Sequence, residues 1–350
     1  MNKLKINNHE ISKENTPFII AEAGINHNGS VEKAVKMVKT AKNAGVSAIK
    51  FQTFKAHELI SDSSLTYTYT SQGKSITESQ LDLFKRCELS NDDFYKIKKT
   101  CDEEKIIFLS TPQNKSDLDF LLELGISAIK VGSDDFTNIP LLKYYSKTKL
   151  PILISCGMST LKEIKTTLTA IGTLDGYPTA LLLTTSEYPT PPQNVNLQKL
   201  RTLSEKFPDI PLGYSDHTQG NLASPIAISF GACIFEKHFT LDNSLPGPDH
   251  WFSSNPSNLE VWSDSIKTSY QMMGYSEILP TESEIKMKAI ARRSIVALND
   301  IDVGETINEN NIGLRRPGTG LPPKMFELIL GKKATKKIEK FTILCEEDFA

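Results

Sequence analysis

The chain has 350 residues, 39% of them hydrophobic, and 40 Lys and Arg against 42 Asp and Glu give a net charge of −2. Such a balance excludes a global nucleic-acid or membrane footprint, and no apolar run approaches the ~20 residues of a membrane span. The length suits a barrel of about 250 residues with an appendage. The opening MNKLKINNHEISKEN is polar, without the apolar stretch of a signal peptide. Cys87, Cys101, Cys156, Cys233 and Cys345 are scattered without a CxxC pair. They read as free thiols in a reducing cytoplasm.

In chain order, β-rich runs occur at 18–24 (FIIAEAG), 47–54 (SAIKFQTF), 106–112 (IIFLSTP) and 127–133 (SAIKVGS). Four more follow at 151–157 (PILISCG), 179–188 (TALLLTTSEY), 211–217 (PLGYSDH) and 233–239 (CIFEKHF). Amphipathic helical patterns such as 31–44 and 116–124 lie between them, with Gly45 and Gly125 placed to end those two helices. Strand and helix in alternation predict a parallel sheet with helical crossovers. The near-identical words GVSAIK (45–50) and GISAIK (125–130) are the faint repeat that a (β/α)8 barrel leaves. A doubly wound open sheet would want a Gly-rich phosphate turn after its first strand, and GINHNGS is not one.

The polar stretch from Lys55 to Arg86 is too long for a tight connection and reads as a lid or binding loop. These patterns divide the chain into a barrel domain at 1–275, a charged, Pro-punctuated linker at 276–288 and a small β-rich domain at 289–350.

In a barrel, chemistry collects where strands end, and here every predicted strand ends in polar groups. Glu22, Asn26 and His27 follow the first, Lys50 and Gln52 the second, Ser110 and Thr111 the third. Lys130 and Ser133, Ser155, Ser186 and Tyr188, Asp216 with Ser215 and His217, and Glu236 with His238 complete the set. An unpaired lysine in an apolar strand is expensive, so Lys50 and Lys130 point to an anionic ligand bearing carboxylate and phosphate. A Schiff-base role for either lysine is the alternative. Glu22 is placed as a general acid or base, or as a partner for a sugar hydroxyl. His217 and His238 close two short apolar runs. Alone, each is an ordinary core histidine; on neighbouring parallel strands the two can share one metal ion.

Taken together, FIIAEAGINHNGS, AIKFQTF, STP, KVGS, GMST, SEYPTP, YSDHT, EKHFTLD, PGPDH and RRPGTG resemble the sialic acid synthase family, in order and over nearly the whole chain. The resemblance implies a TIM barrel followed by an antifreeze-like (SAF) domain. It implies condensation of phosphoenolpyruvate with an N-acylated hexosamine and water, giving a nine-carbon 2-keto acid and phosphate. By motif, His217 and His238 would hold one Mn2+ or Mg2+. Lys50, Thr111, Lys130, Ser133, Ser155, Ser186 and Ser215 would hold phosphoenolpyruvate. Gln52, Tyr188, Asp249 and Arg316 would face the amino sugar, with Glu22 and Glu236 beside the reacting groups. A domain-swapped homodimer in the cytoplasm is also implied, with no nucleic-acid or membrane partner. The sequence departs from the family at Leu183 and Thr184, where many relatives have His-Cys, at Cys156, where Thr is frequent, and at Ser186, where some carry Asn. Rival functions are a Schiff-base aldolase and a barrel that binds carbohydrate without catalysis.

Overall fold

The computed structural model describes residues 4–350. Two compact units divide after Gly274, the second running Tyr275–Ala350.

The first unit is an eight-stranded parallel sheet wrapped by helices. A hairpin of β1 (Leu4–Ile6) and β2 (His9–Ile11) precedes β3 (Phe18–Gly24) and β4 (Ala48–Thr53). A second hairpin, β5 (Thr66–Ser71) and β6 (Lys74–Ser79), interrupts the series. Then come β7 (Ile107–Pro112), β8 (Ile129–Val131), β9 (Ile152–Ser155), β10 (Thr179–Leu183), β11 (Leu212–Asp216) and β12 (Ala232–His238). Around the sheet the order is β7-β4-β3-β12-β11-β10-β9-β8, with the end strands β7 and β8 packed against each other. All eight strands expected from the sequence are present. This is the (β/α)8 barrel, with the small domain after it.

Alternation along the strands sorts the side chains. One parity faces outward and joins the helices in a core that includes Ile19, Phe51, Phe108, Leu183, Tyr214, Phe235 and Trp262. The other parity faces inward. Its lower positions are apolar and include Ile20, Ala48, Leu109, Ala128, Leu153, Leu182 and Ile234, with Leu4, Ile6 and Ile11 of the first hairpin packed beneath them. Two residues further along the same strands, that parity turns polar.

Helices between the strands start where sequence chemistry says they should. Ser30 caps Val31–Asn43 through its side chain, accepting from the Lys33 N–H. Ser90 and Asp93 form a reciprocal capping box on Asn91–Glu104. Gly125 ends Lys115–Leu124 in the left-handed conformation, φ +82°.

The Lys55–Arg86 stretch, expected as a lid or binding loop, carries regular structure of its own. It folds as a short helix (Ala56–Leu59), the β5–β6 hairpin and a helix at Gln80–Cys87. Gln72 and Gly73 turn the hairpin with φ of +51° and +74°, the pair of positive values a two-residue hairpin turn requires. Glu78 ties Arg86 and Tyr69 together, and the Gln72 side-chain amide donates to the Ser244 carbonyl at 2.8 Å, latching the hairpin to the loop after β12.

In the second unit, residues expected as a linker carry the helix Glu282–Ala291, capped by Thr281 and Glu284. Charged residues that punctuate a linker also make good exposed helix, and no residue of this one is buried. β13 (Ser294–Ala297) and β14 (Ile312–Arg315) pair antiparallel over a core that includes Ile295, Ile301, Ile312, Ile338 and Leu344. Arg316 follows β14 and is exposed.

Gly213 marks how tightly the inner barrel is filled, since a Cβ there would lie 2.7 Å from Leu182 Cγ and 2.8 Å from the Ile234 carbonyl oxygen. Gly213→Val should therefore lower stability by about 1–3 kcal/mol, read as a reduced urea midpoint. An unchanged midpoint would mean that the inner barrel is looser than described.

Candidate functional site

Where the inner parity turns polar, the strand ends open into a cavity of about 550 Å³. Glu22, Lys50, Gln52, Thr111, Lys130, Ser133, Ser155, Ser186, Tyr188, Ser215, His217, Glu236, His238 and Asp249 all line it. Every barrel residue assigned a site role from the sequence is thus brought together. Arg316 belongs to the second unit.

Four buried ionisable groups, acidic and basic in alternation, meet on the floor. Lys50 Nζ lies 2.9 Å from Glu22 Oε1 and 3.9 Å from Glu236 Oε1, while Lys130 Nζ lies 3.4 Å from Glu236 Oε2. Hydroxyls complete the ammonium shells, with Thr111 Oγ1 3.1 Å from Lys50 and Ser155 Oγ 3.0 Å from Lys130. Ser215 donates to Glu236 at 3.2 Å. Burial drives the titration of each group, and its partners decide the outcome. Glu22 is pushed up to about 7 by burial, against the pull of Lys50. Burial acts on Glu236 in the same sense, but Lys130 and Lys50 outweigh it and hold that carboxylate at about 2. Burial opposes the charge on Lys50, yet Glu22 and Glu236 keep its pKa raised. Lys130 is lowered, burial being the larger effect.

On the neighbouring strands β11 and β12, the rings of His217 and His238 stand 5.5 Å apart, centroid to centroid. Tyr188 lies over both, at 4.1 Å and 5.5 Å. The Nδ1 of His217 is 2.7 Å from the Thr185 carbonyl, which can only accept, so Nδ1 carries the proton and Nε2 keeps its lone pair. Burial lowers His217 to about 4 and His238 well below its ordinary value, so both are neutral imidazoles. His238 Nδ1 is buried without a hydrogen-bond partner, 3.7 Å from Asp249 Oδ2. Neutral imidazoles with open lone pairs beside carboxylates have the chemistry of metal ligands. Among the described residues no group of three or more His, Cys, Asp or Glu is gathered to encage an ion. A metal held here would keep positions open to water or substrate.

The β9 to β10 side is rich in hydroxyls. Ser186 Oγ is buried and unpartnered, and Ser133 accepts from the Gly157 N–H at 3.0 Å. A Cβ on Gly157 would meet those two hydroxyls at 2.5 and 2.7 Å, so glycine lets the backbone approach. Two of the four departures point away from the cavity. Cys156 and Leu183 belong to the outer core, whereas Thr184 lines the cavity with its hydroxyl 3.3 Å from His217 Nδ1.

Asn26 and His27, counted among the polar strand ends, do not line the cavity. Asn26 donates to Phe239 O and Ser253 Oγ, and the Nδ1 of buried His27 accepts from the Gly29 N–H. Both serve the loops above the barrel. The stretch expected as a lid or binding loop does wall the cavity, through Leu59, Ile60, Tyr67, Gln80 and Phe84, residues that sequence reasoning does not single out. The signal was available in TYTYTS-QG-KSITES, alternating Thr and Tyr around a Gly-containing two-residue turn.

Residues 37–278 match the model of the NeuB family and residues 292–350 that of the SAF domain. The chain belongs to the NeuB family. It is 38% identical over 337 residues to the N,N'-diacetyllegionaminic acid synthase of Legionella pneumophila, covering 95% of this chain and 94% of that one. A pseudaminic acid synthase of Campylobacter jejuni is 33% identical over 332 residues, 95% of this chain and 96% of its own. Among solved structures, the N-acetylneuraminic acid (sialic acid) synthetase of Leptospira borgpetersenii in complex with citrate superposes with a TM-score of 0.73 at 30% identity, covering 81% and 94% of the two chains. This NeuB-family chain is accordingly an enzyme of the sugar-acid synthase type.

The raised pKa of Glu22 gives a direct check. Its carboxyl should hold a proton below pH 7 and lose it above, seen as an infrared carbonyl band that fades between pH 6 and 8 and is missing in Glu22→Gln. Because the folded value lies above the ordinary 4.5, ionised Glu22 opposes folding more and more as pH rises from 4.5 to about 7. The stability advantage of Glu22→Gln should widen over that window. A band with its midpoint near 4.5 would contradict the buried geometry.

Proposed function

We propose that the enzyme condenses phosphoenolpyruvate with the open-chain aldehyde of an N-acylated hexosamine. With water, the products are a nine-carbon 2-keto sugar acid and phosphate. The aldehyde is N-acetylmannosamine or a related 2,4-diacetamido sugar. The observation that carries this reading is one cavity with two buried lysines on its floor and two neutral histidines on adjacent strands beside them.

Lys50, Lys130 and the hydroxyls of Thr111, Ser133, Ser155, Ser186 and Ser215 bind the phosphate and carboxylate of phosphoenolpyruvate. Gln52, Tyr188 and Asp249 face the amino sugar. His217 and His238 hold Mn2+ or Mg2+, which when bound supplies Lewis-acid polarisation of the aldehyde oxygen. The C3–C1 bond forms as the enol attacks the aldehyde carbon, leaving C2 electron-poor. Water adds to C2, and collapse of the tetrahedral intermediate breaks the C2–O bond and releases phosphate. The proton lost by that water is the one the new alkoxide needs, and Glu22, poised near neutrality, is suited to carry it. Glu236, held ionised by both lysines, fixes their positions through the cycle. The filled cavity excludes bulk water from the electron-poor centre.

Lys50 is kept as an ammonium by two carboxylates, which disfavours an imine at that residue. Borohydride with pyruvate should therefore leave no adduct on Lys50, and the metal route predicts none on Lys130; a reduced adduct on either would favour the aldolase reading instead. The direct test is phosphate release from phosphoenolpyruvate against a panel of N-acyl hexosamines in ¹⁸O-water. Release should require the sugar, the phosphate should stay unlabelled and the 2-keto acid should gain label. Labelled phosphate would mean plain hydrolysis and end the proposal.

Removing the metal should abolish turnover and Mn2+ should restore it in the wild type. His217→Ala should lose at least ~10²-fold, in line with loss of a ligand and of the charge stabilisation it supports. Full activity of a stripped His217→Ala protein would contradict the metal role. Arg316 is proposed to reach the amino sugar across a homodimer. Mixing Arg316→Ala with His238→Ala subunits should then restore one working site per mixed dimer, and verified mixed dimers without activity would exclude it.

A further inference from the structure

Asp216 and Lys237 immediately precede His217 and His238, and they are paired directly across β11 and β12. By strand alternation they point the opposite way from the histidines, out of the cavity and into the layer between sheet and helices. There Lys237 Nζ lies 3.2 Å from Asp216 Oδ2, with the two residues 3% and 0% exposed.

Both carboxylate oxygens and the ammonium have further partners. Asp216 Oδ1 accepts from the Thr218 N–H at 2.8 Å and from the Thr218 hydroxyl at 2.7 Å. Oδ2 accepts from Ser224 Oγ at 2.8 Å, and Ser224 in turn accepts from Trp262 Nε1 at 2.9 Å. Lys237 also donates to the Thr218 carbonyl. Thr218 is the residue after His217. The pair therefore grips the backbone on both sides of one histidine and the strand leading into the other. It also ties both to the helices Ala223–Ile228 and Pro256–Met273.

Stability does not call for charge at this place. The outward positions of the same strands are otherwise filled by Leu212, Tyr214 and Phe235, members of the outer apolar core. A buried ion pair in such surroundings is often no more stabilising than apolar residues of similar volume. Its geometric consequence is specific: two strand ends locked in register at the position where both imidazoles leave the sheet.

We infer that Asp216 and Lys237 form a positioning clasp that sets the separation and aim of His217 and His238 for a shared divalent cation. The inference rests on the reading of those histidines as metal ligands. Neither clasp residue lines the cavity, so both act only through their neighbours.

The test uses Mn2+ binding to the full chain, followed by electron paramagnetic resonance, with no turnover involved. The double variant Asp216→Leu/Lys237→Met replaces the pair by apolar groups of similar size. It should still fold, at a melting temperature lowered by the Thr218 and Ser224 groups left unpaired, and bind Mn2+ about 10–100-fold more weakly, the range expected when residues supporting a metal ligand are removed. A folded double variant with wild-type Mn2+ affinity overturns the clasp and leaves the metal reading standing. A wild-type protein that takes up no Mn2+ overturns both. If the double variant does not fold, Ser224→Ala deletes one donor to Asp216 and keeps the pair. It should weaken Mn2+ binding by a smaller, severalfold factor, and unchanged affinity there overturns the clasp as well.

Discussion

The structure turns on four ionisable groups buried inside the barrel, Glu22, Lys50, Glu236 and Lys130, acidic and basic in alternation. No one of them could be buried alone, because an unpaired ion in such surroundings costs several kcal/mol, on the order of 3–5 when a partner is removed. Together they hold two ammonium groups in place before any ligand arrives. Preorganisation of this kind is what an anionic substrate needs, since the protein does not have to reorganise as charge develops. It has a further electrostatic consequence. Each anion that enters adds to the repulsion on Glu22, already raised to about 7 by burial, and so favours its protonated form.

The rest of the first unit serves that array. The inner parity of the strands is apolar below and polar above, so the same strands that pack the barrel floor also aim the site. The hairpin Leu4–Ile11 seals the floor from beneath. At the mouth, the β5–β6 hairpin is latched by Gln72 to Ser244 and brings Tyr67 to the cavity wall. The charge array is thus set on rigid strands, while part of the cavity wall is carried on an excursion between β4 and β7.

Much of this is legible in the sequence because it is local. Eight apolar runs bounded by turns give the strands, and a polar residue at each end gives the site, including both lysines and both histidines. What escaped is what only folding brings together. The pairing of Lys50 with Glu22, and of both lysines with Glu236, joins residues up to 186 positions apart, and no period in the chain encodes it. The hairpin at 66–79 looks like loop in the sequence because most of its residues are polar, though its turn carries a clear signal. Cys156 and Leu183 looked like changes to the pocket, yet strand alternation turns them outward into the core. The same alternation puts Asp216 and Lys237 behind the site, a placement readable once β11 and β12 are known to be neighbours.

The central claim is that this charge array is an anion site for phosphoenolpyruvate. Calorimetric titration of phosphoenolpyruvate into wild type and Lys130→Met tests it most directly, with circular dichroism confirming that the variant is folded. The account predicts measurable binding to the wild type, competed by inorganic phosphate, and a loss of at least ~10-fold in the variant, as for removal of a charge-assisted contact. Equal affinity in a folded Lys130→Met protein would contradict it.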